Sequence, residues 1–219
     1  MIIIQARLNS KRLPGKVLKK IYGKPILLYL LENLKKVNEN IIVATSKFDH
    51  EIIRFCKKNE IECFASNLNN VAKRFFELCN KYEDSYFVRL CADSPLIDYR
   101  LVNKMLKIFK KEKMNFLSNR YQNFPSGQTV EILDVKYFKT KYKYFKKQSH
   151  FEHVTSYFYE KERKKIKFYK TNKDFTNYKM SIDTKEDYLK ISKLIKIFQI
   201  KDINLSSNKL INKLKILKI

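Results

Sequence analysis

The chain is poor in the residues that mark flexible or fibrous proteins. Its 219 residues include three glycines and four prolines, which excludes collagen-like, low-complexity and long flexible-linker sequences. Hydrophobic residues make up 44% of the chain and aromatic residues 14%, which is too apolar for an intrinsically disordered protein. We therefore expect one folded domain over residues 1–219, with a hydrophobic core of its own.

Cysteine pairs and long apolar runs are also missing. The four cysteines (Cys56, Cys63, Cys79 and Cys91) show no C-x-x-C spacing and no nearby histidine pair, which argues against a zinc site or a disulfide framework. No apolar run approaches the roughly 20 residues that cross a bilayer. The N-terminal apolar run precedes its basic residues, the reverse of a secretory signal. We expect a cytoplasmic protein without a membrane span.

Positive charge is abundant. The chain has 47 Lys and Arg against 22 Asp and Glu, a formal net charge of +25. Such a field attracts nucleic acids, anionic membrane surfaces and phosphorylated small molecules alike. The lysines are dispersed along the chain, so part of this charge simply solvates the surface. Net charge alone therefore does not choose among these partners.

Short apolar segments alternate with amphipathic ones along most of the chain. This alternation predicts βαβ units and an α/β fold with a mostly parallel, Rossmann-like sheet. Residues 119–178, rich in Tyr, Phe and Lys, interrupt the rhythm, and we interpret them as an insertion that covers a pocket, contacts a second subunit, or both. The predicted strands span 2–6, 41–44, 61–65, 85–91, 129–133 and 180–183; the predicted helices span 25–36, 49–59, 69–81, 99–112, 184–198 and 204–217.

The loop after the first predicted strand carries four cations, a hydroxyl and one glycine. In open α/β sheets, ligands bind at the carboxyl ends of the strands, where such loops converge. Cationic side chains supply charge-assisted donors to phosphate oxygens, and a glycine lets backbone amides approach them. The loop matches neither G-x-x-x-x-G-K-[ST] nor G-x-G-x-x-G, and a solvated basic loop is the alternative. The candidate nucleotide-binding residues of this segment are Ala6, Arg7, Ser10, Arg12, Gly15 and Lys16, and all but Ala6 are expected at the triphosphate.

Two aspartates follow apolar segments. Asp93 comes at the end of the strand over 85–91, and Asp183 follows the apolar run that begins at Met180. Mg²⁺ prefers oxygen ligands and usually combines one or two carboxylates with substrate phosphates, so this pair beside a phosphate loop predicts a magnesium site. Each taken alone also suits a helix N-cap, as does Asp98.

Several ordered motifs carry a family resemblance. The chain contains, in this order, IIIQARLNSKRLPGK, GKPILLYLLENL, VRLCADSPLID, SGQTVEIL, EHVTSYFYE and SIDTKEDY. Together they resemble the cytidylyltransferase family that includes acylneuraminate and 3-deoxy-manno-octulosonate cytidylyltransferases, in particular its branch named for spore-coat polysaccharide biosynthesis. The resemblance implies a three-layer α/β/α nucleotidyltransferase fold, a CTP- and Mg²⁺-dependent reaction, a CMP-linked product and, commonly, a homodimer.

The resemblance also implies roles for particular residues. It places the triphosphate on the basic loop and the metal on Asp93 and Asp183. It indicates that Asn70 and Arg74 contact the base or ribose, although an arginine on an amphipathic helix often faces solvent. One departure is Ala92, where the family pattern has Gly before the Asp; an alanine there is tolerated only if the backbone does not need a positive φ.

The implied reaction is an in-line attack by an acceptor oxygen on the α-phosphorus of CTP, with release of pyrophosphate. Positioning and charge neutralisation are then the main tasks of the protein, and no covalent nucleophile is needed, so Cys91 is interpreted as a buried strand-end residue. The candidate catalytic residues are Arg7, Lys16, Asp93 and Asp183.

The acceptor is predicted to be a small anion bound by the insertion. The candidate acceptor-binding residues are Gly127, Gln128, Glu131 and His153, although His153 also suits a packed or capping role. A sugar acid such as a nonulosonic or other 2-keto-3-deoxy acid, used for surface polysaccharide or glycan synthesis, needs one cationic contact. A phosphorylated or phosphonate acceptor needs at least two.

Two rival interpretations remain. Interleaved Tyr, Phe and Lys over residues 137–147 suit a basic nucleic-acid-binding module, because aromatic rings stack on bases. No nucleic-acid motif accompanies them, so we expect no nucleic-acid partner. The other rival is an inactive relative that has kept the fold.

Overall fold

A seven-stranded sheet forms the centre of the protein. The structure is a computed structural model that describes residues 1–67, 69–197 and 206–216. The strands are β1 (Ile2–Gln5), β2 (Lys20–Ile21), β3 (Lys24–Pro25), β4 (Ile41–Ser46), β5 (Cys63–Ser66), β6 (Tyr86–Cys91), β7 (Phe116–Ser118), β8 (Glu131–Asp134) and β9 (Lys167–Phe168).

Helices connect most of these strands. They are α1 (Ile26–Leu34), α2 (His50–Lys58), α3 (Val71–Lys81), α4 (Tyr99–Glu112), α5 (Val135–Tyr142), α6 (Gln148–Glu152), α7 (Ser156–Lys161), α8 (Lys185–Ile197) and α9 (Ser207–Ile216), with 3₁₀ turns at Lys16–Leu18 and Arg163–Lys165. In the described part of the chain, no helix has the length and apolarity that crossing a membrane requires.

The sheet order is β5-β4-β1-β6-β8-β7-β9. Strand β1 lies between β4 and β6 and is parallel to both, with Ile2 opposite Ile41 on one side and Val88 on the other. Strand β8 is antiparallel to β6 and β7. The carboxyl ends of β1, β4 and β6 therefore meet at one edge, and the loops that follow them form one surface.

Alternate residues of the strands face two different cores. Ile2 and Ile4 pack with α1, α2 and α4 on one face of the sheet, and Ile3 packs with α3, α5 and α7 on the other. This period of two is what a strand buried on both faces requires. The predicted three-layer α/β/α fold is confirmed.

The structure departs from the predicted elements at several points. Residues 180–183 are not a strand: Met180 and Ile182 are fully buried in a third core with α8 and α9, so their alternation reflects packing against helices. The predicted strand over 61–65 begins at Cys63, and the helix over 69–81 begins at Val71. Residues 198, 204, 205 and 217, at the ends of the last two predicted helices, lie outside the described residues. Strand β8 belongs to the segment 119–178, which thus contributes to the main sheet.

Candidate active site

The basic loop turns about Leu8. The carbonyl of Leu8 accepts hydrogen bonds from the backbone N–H groups of Ser10 (2.8 Å) and Gly15 (2.9 Å). Gly15 has φ +66° and begins the 3₁₀ turn at Lys16, a backbone conformation that glycine adopts at little cost. The loop folds back on itself in this way, and Lys16 lies buried beneath it.

Lys16 joins the two predicted metal ligands. Its ammonium group donates to Asp93 Oδ2 (2.6 Å), to Asp183 Oδ1 (2.9 Å) and to the carbonyl of Ile182 (2.8 Å). Partial burial opposes ionisation of Asp183, but Lys16 and Lys179 hold the pKa of this carboxyl below its usual value. Two aspartates that are 90 residues apart in sequence therefore converge on one cation.

Backbone contacts bring Asp183 to this position. The N–H of Ile182 donates to the carbonyl of Asp93 (2.8 Å). Thr184 and Asp187 cap the start of α8 reciprocally: the Asp187 N–H donates to the Thr184 hydroxyl (3.2 Å), and the Thr184 N–H donates to the Asp187 carboxylate (2.9 Å). Asp183 is therefore not the capping group and its carboxylate faces the cavity, whereas Asp98 does cap α4.

The donor set suits Mg²⁺ only together with a substrate. Within the described residues, no three His, Cys, Asp or Glu side chains form a group able to hold a metal ion. Two carboxylates at one point are the protein ligands that Mg²⁺ uses when substrate phosphates supply the rest. Asp93 and Asp183 are the residues that fit this role.

A cavity of about 570 Å³ opens around the acids and the loop. Its walls include six of the predicted nucleotide-binding or catalytic residues. These residues are Arg7, Ser10, Arg12, Lys16, Asp93 and Asp183. Ala6 lies next to it in a smaller cavity of about 170 Å³, which shares Arg7 with the larger one. Gly15 shapes the loop through its backbone and is not part of either wall.

Arg74 lies at the bottom of the smaller cavity and is 2% exposed. Its Nη1 donates to the Ala44 carbonyl (3.3 Å), and its Nε has no hydrogen-bond partner among the described residues. Burial lowers the pKa of this guanidinium. A buried cation with an unused donor does not fit the solvent-facing alternative, because such a donor costs free energy unless a ligand satisfies it.

Asn70 has a different position. Its side-chain oxygen accepts from the Lys73 N–H (2.7 Å) and caps α3, and its amide nitrogen donates to the Tyr142 hydroxyl (3.4 Å). Its neighbours Asn69 and Val71 line the smaller cavity, and Asn70 does not. Asn70 therefore orients the helix that carries Arg74.

Three of the four predicted acceptor-binding residues line a third cavity of about 240 Å³, which also contains Asp93 and Asp183: Gly127, Glu131 and His153. Gly127 has φ +89°, and a Cβ there would lie 2.6 Å from the Met180 carbonyl carbon, so glycine is required for this close approach.

Gln128 is not brought to the cavity. It is fully buried, accepts from the Asp98 N–H (2.9 Å) and donates to the Leu96 carbonyl (2.6 Å). Its side chain instead fixes the loop that follows Asp93.

Glu131 is a buried carboxylate whose oxygens are fully engaged. It pairs with Arg89 and accepts from the hydroxyls of Thr155 (3.0 Å) and Tyr159 (2.8 Å). A charge buried in this way needs a counter-ion and hydrogen bonds. The Arg89 charge is thereby neutralised.

His153 lines both this cavity and the larger one. Burial lowers its pKa; Glu152 opposes this change, and the charges of Arg89, Arg120 and Arg7 reinforce it. The imidazole is therefore neutral at pH 7.

Arg120 was missed by the sequence analysis. Its guanidinium lies over the rings of Tyr121 (4.8 Å) and Tyr159 (5.1 Å), and among the described residues it has no carboxylate partner. It lines the third cavity and an outer cavity of about 560 Å³ beyond it. Its sequence signal is weak, because it follows the three-residue strand β7, which was not predicted.

The structure also explains the positions of Glu152 and Ala92. Glu152, in the motif EHVTSYFYE, lines both the larger and the smaller cavity and pairs with Arg7 at 3.4 Å. Ala92, the departure from the family pattern, has no positive φ. Alanine therefore causes no backbone strain at that position.

Comparison with known proteins identifies the family. A family model described as cytidylyltransferase matches residues 1–218. The chain belongs to the cytidylyltransferase family. As a member of this family it is a CTP-dependent nucleotidyltransferase.

Three known proteins illustrate the similarity. A solved cytidylyltransferase from Leptospira borgpetersenii superposes with a TM-score of 0.92 at 30% identity, over 99% of this chain and 94% of that one. The spore coat polysaccharide biosynthesis protein SpsF of Bacillus subtilis is 27% identical over 89% of this chain and 85% of its own length. The 3-deoxy-manno-octulosonate cytidylyltransferase of Fusobacterium nucleatum is 34% identical, but over 51% of this chain and 46% of that enzyme.

Proposed function

We propose that this cytidylyltransferase transfers CMP from CTP to a sugar acid, a nonulosonic or other 2-keto-3-deoxy acid, and releases pyrophosphate. The observation that carries the proposal is the Asp93–Lys16–Asp183 cluster, which lies between the nucleotide cavities and the third cavity. Reacting groups that enter from the two sides would meet at these acids.

Arg74 suits recognition of cytosine. A guanidinium offers only donors, and cytosine presents two adjacent acceptors, N3 and O2. Uracil carries a hydrogen on N3, so it would place a donor against a donor. A guanidinium that donates to N3 and O2 together would therefore favour CTP over UTP, and the Nε of Arg74 has no hydrogen-bond partner among the described residues.

The basic loop suits the triphosphate. Arg7 and Arg12 are half or more exposed and make ion pairs of 3.4 Å with Glu152 and Asp183. Pairs of this kind contribute little stability, so both guanidinium groups are available to phosphate oxygens at low cost. Ser10 adds a neutral donor.

The main tasks of the protein in this reaction are to position the two reactants and to stabilise the developing charge. A hydroxyl oxygen of the acceptor forms a bond to the α-phosphorus while the bond from that phosphorus to pyrophosphate breaks and the hydroxyl proton is released. Arg7 and Arg12 stabilise the charge that develops on the leaving group. The ammonium group of Lys16 already donates to both acids, so Lys16 acts there by holding Asp93 and Asp183 together. Mg²⁺ held by Asp93 and Asp183 would bring nucleophile and phosphate together and neutralise charge.

The charges of the third cavity favour a carboxylate acceptor. Arg89 is neutralised by Glu131, and His153 is neutral at pH 7. Among its described lining residues, Arg120 is then the one cation without an anionic partner. One free cation matches a monoanionic carboxylate, whereas a phosphate dianion calls for at least two. The name of the Fusobacterium relative, a 3-deoxy-manno-octulosonate cytidylyltransferase, also supports a sugar-acid acceptor.

Nucleotide selectivity tests the first half of the proposal. The melting temperature should rise more with CTP and Mg²⁺ than with UTP, ATP or GTP, because a ligand stabilises the state that binds it. Arg74→Met should abolish the difference between CTP and UTP, and Arg54→Met, which removes an exposed arginine from α2, should preserve it. Equal shifts for all four nucleotides would contradict cytosine selectivity.

An acceptor screen tests the second half. Pyrophosphate release should require CTP, Mg²⁺ and a 2-keto-3-deoxy sugar acid. A panel of sugar phosphates and phosphonates of similar size is the comparison. Turnover with that panel and none with the sugar acids would reject the proposed acceptor and keep the nucleotide assignment.

A further inference from the structure

Asp49 is a buried carboxylate to which the predicted machinery gives no role. It lies between β4 and α2 and is 5% exposed. It occupies the N-cap position of α2, yet its side chain makes no capping hydrogen bond to that helix. Aspartate at such a position normally accepts from the first N–H groups of the helix. The carboxylate is therefore used elsewhere.

Its two oxygens connect β4 to the phosphate loop. Oδ1 accepts from the N–H of Leu8 (3.1 Å), and Oδ2 accepts from the Thr45 hydroxyl (2.9 Å) and the Ser46 N–H (3.2 Å). Leu8 and Asp49 are 41 residues apart in sequence. The contact thus spans the adjacent strands β1 and β4 at their carboxyl ends.

Leu8 is the residue about which the loop turns. Its carbonyl receives the N–H groups of Ser10 and Gly15, while its own N–H is held by Asp49. Both backbone polar groups of Leu8 are therefore held in place, the N–H by Asp49 and the carbonyl by the N–H groups of the loop. Releasing the N–H would free the segment that presents Arg7 and Ser10 to the cavity.

The same carboxylate acts on Arg74. Its negative charge favours the charged form of this buried guanidinium and so opposes the effect of burial on the pKa. Asp49 also fixes Ser46, which lines the smaller cavity with Arg74. One side chain thereby supports both the phosphate-binding and the base-binding parts of the nucleotide cavities.

We infer that Asp49 is a positioning residue for the nucleotide, which holds the phosphate loop in its binding conformation through Leu8 and fixes Ser46 in the wall of the smaller cavity beside Arg74. This inference rests on the proposed function in one respect, that the loop and Arg74 bind CTP. It requires no assumption about the acceptor.

The test measures binding of CTP with Mg²⁺ by calorimetry, without acceptor. Asp49→Asn keeps the size of the side chain and one acceptor oxygen but removes the charge. A charge-assisted hydrogen bond is typically equivalent to a factor of about 10 to 100 in a binding constant. We expect Kd for CTP to rise by about 10-fold in this variant. Once an acceptor is known, KM for CTP should rise while kcat and KM for the acceptor stay within about twofold.

Asp134→Asn is the matched control. Asp134 caps α5 by accepting from the Tyr137 N–H (2.6 Å), so its loss lowers the melting temperature without touching the nucleotide cavities. Unchanged CTP affinity in this control separates loss of positioning from loss of stability.

A second readout and a second variant complete the test. Trypsin should cleave the nucleotide-free Asp49→Asn protein several-fold faster after Lys11 and Arg12, with unchanged cleavage after Lys164. Thr45→Val removes the hydroxyl that orients the carboxylate and should shift both readouts in the same direction by a smaller factor, which keeps the test valid if Asp49→Asn folds poorly. Wild-type CTP affinity and wild-type loop cleavage in both variants would overturn the inference. Failure of the wild-type protein to bind CTP would instead reject the proposed function.

Discussion

The larger and smaller cavities, with Arg7 and Arg74, form the end proposed for the nucleotide, and the third cavity, with Arg120, forms the end proposed for the acceptor. The two ends differ in how their charges are balanced. At the nucleotide end, Arg74 keeps an unused donor and Arg7 makes an exposed ion pair of 3.4 Å. At the acceptor end, Glu131 and Arg89 neutralise each other inside a hydrogen-bond network, and Arg120 has no anionic partner among the residues that the structure describes. This difference is the one that the proposed function requires, with CTP at the first end and a singly charged acceptor at the second.

The largest expected effect lies where the two ends meet. Asp93→Asn and Asp183→Asn should each lower pyrophosphate release by about 1,000-fold or more, because charge neutralisation by a metal contributes several kcal/mol to the barrier. Circular dichroism should be unchanged, since Lys16 keeps one carboxylate partner in each variant.

Asp174→Asn is the control for these variants. Asp174 is an exposed residue that contacts Thr176, and its replacement should leave turnover unchanged. Turnover at the wild-type level in both Asp93→Asn and Asp183→Asn would remove the acids from the mechanism.

A smaller effect, on KM for the acceptor, is expected from replacing Arg120 at the acceptor end. Arg120→Met should raise KM for the acceptor by about 10-fold or more, the equivalent of one charge-assisted hydrogen bond, and leave KM for CTP unchanged. Arg163→Met is the control, because Arg163 lines only the outer cavity and lies over Phe168. A rise in KM for CTP with no change for the acceptor would reverse the assignment of the two ends.

The smallest effect concerns stability on the acceptor side. Partial burial opposes ionisation of Glu162, but hydrogen bonds from Lys141, Lys165 and Tyr137 hold its pKa at about 2. A lowered carboxyl pKa contributes stability above the ordinary glutamate pKa of 4.5, and this contribution is lost as pH falls from there towards 2. Glu162→Gln should therefore reduce the melting temperature at pH 7 by the equivalent of roughly 0.5–1 kcal/mol, and the difference from wild type should vanish near pH 2.

Glu83→Gln, at an exposed glutamate, is the control and should show no such pH-dependent difference. A constant difference between wild type and Glu162→Gln across this range would mean that the charge of Glu162 contributes nothing.

Much of the nucleotide end could be predicted from the sequence. Strands β1, β4 and β6 are apolar on both faces, as is typical of parallel strands, and each is followed by a polar loop. Because the carboxyl ends of parallel strands lie at the same edge of a sheet, these loops are expected to lie together. The proximity of Lys16 and Asp93 follows from that placement. Asp183 follows no strand, and the hydrogen bond from the Ile182 N–H to the Asp93 carbonyl brings it there. What the sequence could not show is that Lys16 contacts the two acids, because its orientation depends on the turn at Gly15.

The acceptor end was harder to predict for local reasons. Strands β7 and β9 have three and two residues, too few for a period of two to stand out. Gln128 lies in a polar motif, but its burial depends on the loop after Asp93, which is distant in sequence. Met180 and Ile182 alternate with polar residues as in a strand, although they pack against α8 and α9. In each case the deciding contacts are with distant parts of the chain.

The Lys16 ammonium has a consequence for how this protein folds. Its three hydrogen bonds close loops of 77, 166 and 167 residues. Closing such long loops costs chain entropy that local contacts cannot repay. The centre of the cavity therefore assembles only when the residues near 182 dock onto the first loop, so catalytic competence should be the last property acquired during refolding and the first lost when α8 detaches.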